Sequence, residues 1–266
     1  MERTITIDQS KCIHCGLCIK DCLMSCLEFG ENDLPRYKQG MDAQCVGCQH
    51  CMAICPRGAL SFDGLDPAAS EAVGYGDSDG LLRLIKSRRS VRFFRDEDVP
   101  PEKIAKLREM LAYTPKGGNV DCLHFTIVVT RSKMEEISKI AYEAAEKSAS
   151  PMMKFCTEYK TRGIDIIYRG APSMLIASID LNKAVAGCET VDPVIALSYA
   201  DLYAQSLGLG TLWDDCAVFA AKELPQVLEA YQIPKGYTLN FVLLLGVPAV
   251  RYRRTVQKTL ENITVL

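Results

Sequence analysis

The stretch Cys12-Ile-His-Cys-Gly-Leu-Cys-Ile-Lys-Asp-Cys22 recurs later in the chain as Cys45-Val-Gly-Cys-Gln-His-Cys-Met-Ala-Ile-Cys55, followed by Pro56. Both copies have the spacing Cys-x2-Cys-x2-Cys-x3-Cys. Extended runs lie on either side, Thr4-Ile-Thr-Ile-Asp8 before the first copy and Ala59-Leu-Ser-Phe62 after the second, so each half reads as strand, cysteine loop and short helix. The chain has 13 cysteines, nine before residue 56 and four (Cys122, Cys156, Cys188, Cys216) scattered beyond it. Only the first group forms a pattern. The N-terminus is polar and lacks the apolar core of an export signal, so the expected address is cytoplasmic. Thiols stay reduced there, which favours metal ligation over disulfides.

Two like metal sites follow from the duplication, and two metals compete for them. Zinc needs four thiolates per site, which leaves the third cysteine of each triplet and the repeat itself without a purpose. Three cysteines spaced two residues apart can instead occupy three corners of one iron–sulfur cube. The pattern resembles that of bacterial-type ferredoxins, in which the fourth cysteine of each run serves the other cluster. The resemblance implies two [4Fe–4S] clusters, one held by Cys12, Cys15, Cys18 and Cys55, the other by Cys45, Cys48, Cys51 and Cys22. Pro56 fits that pattern, but Leu23 stands at the first copy's proline position. Cys26 is therefore a second candidate for the fourth ligand of the second cluster, its alternative being a buried thiol.

At 266 residues, with 48% apolar and 24% charged side chains, the composition is that of a globular protein large enough for two unequal domains. The net charge is -2, and acidic residues outnumber basic ones over residues 1–63, so a nucleic-acid footprint is not expected. The longest apolar stretch, Asn240 to Val250, is too short for a membrane span and is broken by Gly246 and Pro248. A Gly-, Ser-, Asp- and Ala-rich segment, 64–80, reads as a linker between a cluster domain at 1–63 and a second domain at 81–266.

Helical signals dominate after the linker. Leu81, Leu82, Leu84 and Ile85 form a short apolar face, and Pro100-Pro-Glu-Lys103 opens a second helix. Ser132-Lys-Met-Glu135 is a capping box for a third helix running to about Ser148. Asp192-Pro193 is expected to cap a fourth, which ends at Gly208 and is apolar nearly all round, as suits a core or a subunit interface. Strands are expected at His124–Thr130, Ser173–Ile179, Gly210–Trp213 and Thr238–Gly246. This mixture defines an α+β domain.

No Gly-x-Gly-x-x-Gly or Walker loop opens a helix in this domain, so nucleotide phosphate would need another cradle. Arg88-Arg-Ser-Val-Arg92 places guanidiniums and a hydroxyl within five residues, a set that matches phosphate geometry. On charge alone a solvated basic turn is the commoner reading. It is followed in order by Thr114-Pro-Lys-Gly-Gly-Asn119, Arg169-Gly-Ala-Pro-Ser173, Gly208-Leu-Gly-Thr-Leu-Trp213, Leu245-Gly-Val-Pro248 and Arg251-Tyr-Arg-Arg254. Together these resemble the nitroreductase family across the whole second domain. The resemblance implies an obligate homodimer binding FMN at the subunit interface. Arg88, Arg89, Ser90 and Arg92 would hold the phosphate, ribityl or pyrimidine end, and Asn119 would reach the flavin from the partner chain. The backbone at Asp214 and Asp215 would lie near the reactive N5 edge, and Arg253 or Arg254 would meet the phosphate. Asp121 stands where the family has a glutamine. The three histidines have no spaced carboxylate or serine partner, so a hydrolytic triad is disfavoured.

A flavin exchanges two electrons and each cluster one, and the cofactors carry that chemistry. The expected activity is an FMN-dependent oxidoreductase that receives electrons through the two clusters, from a ferredoxin-like donor, or directly from NAD(P)H. Its acceptor would be a small molecule such as a nitroaromatic or a quinone. The alternative is an electron-transfer protein or redox-complex subunit that relays electrons to another protein.

Overall fold

A computed structural model describes residues 2–266, which divide into two compact units, one ending at Tyr75 and the other spanning Gly76–Leu266. The division falls inside the segment 64–80. That segment is not featureless, because Asp66 accepts the Ala68 amide at 2.9 Å to start a 3-10 turn, and the second unit's first helix already begins at Ser78.

The first unit runs β1 (Ile5–Ile7), α1 (Leu17–Lys20), β2 (Leu27–Phe29), β3 (Pro35–Tyr37), α2 (His50–Ala53), β4 (Leu60–Phe62). β1 pairs antiparallel with β4 and β2 with β3, giving the duplicated strand–helix–strand arrangement that the repeat predicts. The two cysteine loops turn in the same way. His14 (φ 55°) and Gly47 (φ 66°) precede the second cysteine of each run, and Gly16 (φ 69°) and Gln49 (φ 59°) follow it, all left-handed. Glycine occupies alternate places in the two copies, so each loop holds one side chain in a conformation that costs on the order of 1–3 kcal/mol. A small core of Leu27, Met52, Leu60 and Phe62 lies beneath the loops.

The second unit contains α3 (Ser78–Ser87), α4 (Pro101–Leu111), β5 (Leu123–Val128), α5 (Arg131–Glu146), α6 (Pro151–Thr161), β6 (Ser173–Ile179), α7 (Val191–Ser206), β7 (Gly210–Trp213), α8 (Asp215–Glu223), α9 (Pro225–Ala230) and β8 (Thr238–Gly246). Its strands form one antiparallel sheet in the order β5-β6-β8-β7. Side chains alternate along the central strands. Met174, Ile176, Val242 and Leu244 join one core with α5, α6, α8 and α9, while Leu175, Ala177, Leu243 and Leu245 join another with α4 and α7. Covered on both faces, β6 is buried at every residue: Met174 to Ala177 form an unbroken apolar run, and the Ser173 and Ser178 hydroxyls donate to the Val128 and His124 carbonyls of β5.

Two helix starts differ from expectation. α5 is capped by Thr130, whose hydroxyl accepts the Lys133 amide at 3.3 Å, and Ser132 lies inside the helix, its hydroxyl 3.2 Å from that of Thr130. α7 begins at Val191 after Thr190, and Asp192 does not cap it: both carboxylate oxygens take the Gly117 amide, at 3.0 and 3.1 Å, from a distant loop. Gly208, at φ 75°, ends α7 in the left-handed region as expected. Helices α6, α8 and α9 are additional to the expected elements. α8 is capped by Asp214, which accepts the Ala217 amide at 3.0 Å.

Candidate functional site

The eight repeat cysteines line two separate cavities in crossed sets. One is walled by Cys12, Cys15, Cys18 and Cys55 with Ile7, Leu17, Pro35 and Leu60, and Pro56 also faces it. The other is walled by Cys22, Cys45, Cys48 and Cys51 with Leu27, Tyr37 and Phe62. The fourth cysteine of each run therefore sits with the other run's triplet. Cys55 Sγ accepts the Ala59 amide at 3.2 Å and Cys22 Sγ the Cys26 amide at 3.3 Å, the same four-residue step in both copies. Cys26 is fully buried, does not line the second cavity, and directs its thiol toward the Met24 carbonyl. Leu23 is exposed. Among the described residues, no three His, Cys, Asp or Glu side chains converge as ligands of a single ion would. Four thiols spread around a cavity suit a cube, whose corners stand farther apart than the ligands of one tetrahedral zinc. Burial pushes the Cys51 thiol up to about 11 and also raises Cys18. A free thiolate is disfavoured there unless iron neutralises it.

In the second unit, the residues from Arg88 to Phe94 run as a strip beside the end of the sheet. The Val91 amide donates to the Thr211 carbonyl at 2.8 Å, the Arg95 amide to Val247 at 2.8 Å and the Ala249 amide to Phe93 at 2.9 Å. Three sequence-distant motifs, Arg88–Arg92, Gly210–Trp213 and Val247–Ala249, thus meet at one edge. Gly210 permits the contact, since a Cβ there would stand 2.7 Å from Val91 Cγ2. Arg88 Nη1 lies 3.7 Å from Asp201 Oδ2 on α7, and Asp201 also accepts from Thr211 Oγ1 and, at 3.1 Å, from Trp213 Nε1. Arg89 bonds the Arg88 carbonyl through Nη1, while its Nη2 is buried without a protein acceptor. Arg92 donates to the Ser90 carbonyl at 3.2 Å. Arg253 and Arg254 lie in an exposed C-terminal segment.

The Asp214 amide is used by the sheet, donating to Val242 at 3.0 Å. Of the two amides expected near a flavin edge, the one left for that role is Asp215's, in the first turn of α8. The Asp214 carboxyl points inward. Burial pushes it up to about 7, against the lowering effect of the Ala217 and Cys216 amides and of Arg169, and its Oδ2 has no partner. Asn119 adopts φ 54° in the Gly117–Asn119 turn, which hangs on Asp192 at the N-terminal end of α7. Arg88 meets the same helix at Asp201, roughly 14 Å farther along its axis. One chain therefore does not bring Asn119 to the arginine strip. Asp121 is exposed and pairs with Lys116 at 3.0 Å.

Asp201 carries no expectation from the sequence, and Asp192 is expected there only as a helix cap. Their signal was two carboxylates within an otherwise apolar helix, a placement that requires partners once buried. Tyr37, whose hydroxyl is buried at the second cysteine cavity, had no comparable signal.

Comparison with known proteins agrees with this architecture. Residues 85–247 match the Nitroreductase family, and residues 5–62 match the 4Fe-4S dicluster domain. A protein of Methanothermobacter thermautotrophicus described as a putative NADH dehydrogenase/NAD(P)H nitroreductase is 26% identical over 64% of this chain and 78% of its own length. The Bacillus subtilis protein described as FMN reductase [NAD(P)H] is 25% identical over 64% of this chain and 67% of its own. Among solved structures, the Bacteroides fragilis nitroreductase with bound FMN aligns at TM-score 0.59 and 24% identity, covering 72% of this chain and all (100%) of that one. The second unit thus has an oxidoreductase fold, and the unit before it has a dicluster-type cysteine framework. The chain belongs to the nitroreductase family, with a 4Fe-4S dicluster domain ahead of the family's own region.

Proposed function

We propose that this chain is an FMN-dependent oxidoreductase fed by two [4Fe–4S] clusters and reducing a small acceptor such as a nitroaromatic or a quinone. The observation that carries the reading is the crossed convergence of eight cysteines on two cavities in the same chain as a nitroreductase-family unit. The eight thiols of Cys12, Cys15, Cys18 and Cys55, and of Cys22, Cys45, Cys48 and Cys51, fit two cubes. FMN, when bound, supplies two-electron chemistry, whereas each cluster passes one electron at a time.

The strip at Arg88–Arg92 fits an FMN phosphate. Arg89 Nη2 is a buried donor lacking an acceptor, and a phosphate oxygen would satisfy it with a charge-assisted bond. Arg88, Ser90 and Arg92 stand beside it, Arg253 or Arg254 would join on the tail, and the Asp215 amide would face the flavin edge. Asn119 would come from a second copy, a reading supported by its distance along α7 from the strip. A homodimer would also cover Leu81, Leu82 and Ile85 on α3 and Val191, Val194 and Tyr199 on α7, all exposed in the single chain. The names of the relatives support NAD(P)H as the alternative electron source.

The test is an anaerobic reduction series with NADH, NADPH and reduced ferredoxin, following flavin and cluster absorption separately, on the native protein and on Cys48→Ser. Cys48→Ser should slow flavin reduction by a cluster-directed donor while leaving chemically reduced flavin competent toward acceptor. Equal rates in both proteins would remove the clusters from the pathway. Absence of turnover of any small acceptor by the homodimer would favour a relay to another protein.

A further inference from the structure

The two cysteine cavities are matched in their thiols and in their amide-to-sulfur bonds, but not in their walls. Behind the first stand Ile7, Leu17, Pro35 and Leu60, and among the described residues that line it none carries a hydroxyl. Behind the second stands Tyr37, the last residue of β3, fixed opposite Leu27 in the hairpin and packed in the small core. Its hydroxyl oxygen is buried and has no hydrogen-bond acceptor of good geometry in the protein. A buried hydroxyl left without an acceptor is costly, so the site is complete only when something on the cavity side accepts its proton.

We propose that the Tyr37 hydroxyl donates a hydrogen bond to a sulfur of the cluster bound by Cys22, Cys45, Cys48 and Cys51, whose cavity wall it shares, and so raises the reduction potential of that cluster alone. The inference rests on the two-cluster reading above. A hydrogen bond to a ligating sulfur withdraws negative charge from the iron and favours the added electron, one of the recognised controls on cluster potential. Each cavity has a basic side chain and other polar groups at its wall, His14 and Arg57 at the first and Gln49 and His50 at the second, but among the described residues the buried hydroxyl belongs to the second alone. The two clusters are therefore inequivalent by construction, and Tyr37 biases the shared electron toward the second.

The experiment is a redox titration of the intact native protein and of Tyr37→Phe, followed by electron paramagnetic resonance, with iron and sulfide measured on both. Phenylalanine keeps the ring in the core and removes only the donor. The expected result is a shift of one cluster to more negative potential, the other unchanged, at equal iron content. A ring-fluorinated tyrosine at position 37, a stronger donor of nearly the same shape, should move the same cluster the opposite way. Unchanged potentials in both proteins, or equal shifts of both clusters, would overturn the assignment. Native protein without iron, sulfide or broad visible absorption would instead sink the two-cluster reading. If Tyr37→Phe assembles poorly, the fluorinated protein decides alone: no upward shift refutes the hydrogen bond.

Discussion

At the scale of single residues, chemistry is set by what a side chain faces. Cys22 completes the repeat's spacing and Cys26, four residues on, is its second candidate; only Cys22 lines the second cavity, while Cys26 contributes its amide to the Cys22 sulfur. Cys22→Ala should therefore lose about one cluster's worth of iron, whereas Cys26→Ala should retain full iron content, as read by iron and sulfide analysis. The Asp214 carboxyl is raised by burial from 3.8 to about 7. Because the folded protein holds this proton more tightly than the unfolded chain, its contribution is fully present below about pH 4 and is lost as pH rises to about 7, amounting to on the order of 4 kcal/mol. Asp214→Asn keeps an N-cap oxygen and removes the charge. Its second unit should lose less stability than the native one between pH 5 and pH 8, measured by chemical denaturation across that range.

Elements create the edge proposed to face the flavin by lying side by side. Residues 88–94 are not a strand of the sheet, yet their amides and carbonyls bond to β7 and to the segment after β8, so three motifs become one surface. Contact is close because Gly210 has no side chain. Gly210→Ala would set a methyl group 2.7–2.9 Å from three Val91 atoms, and overpacking of this kind costs about 1–3 kcal/mol. We expect FMN affinity to fall by about tenfold to a hundredfold while the secondary structure is retained, checked by flavin fluorescence titration and circular dichroism. α7 anchors two separated segments, holding the Gly117 turn through Asp192 and Arg88 through Asp201.

At the scale of the whole molecule, the two units differ in what stabilises them. The second has two extensive cores on the faces of its sheet, whereas the first has a handful of buried apolar residues beneath two loops strained by left-handed residues. A unit so small needs its metal as a staple. Removing iron with a chelator and oxidant should abolish the first unit's protection in hydrogen exchange and leave the protection of β6 and β8 unchanged. Loss of protection in both would show that the units do not fold independently.

Much of this could be read in the chain before folding was considered, wherever the information is local. Ligand spacing within one turn marks the cysteine triplets, a period of two with both phases apolar marks β6 and β8, and proline at a first turn marks α4. The choice of Cys22 over Cys26, the diversion of Asp192 from a cap to a distant amide, the pairing of Arg88 with Asp201 and the burial of the Tyr37 hydroxyl depend on which segments meet in space. Backbone dihedrals and side-chain periodicity act over a few residues. A buried carboxylate or hydroxyl takes its partner from whatever the packed fold brings within about 3 Å, and that partner can be anywhere along the chain.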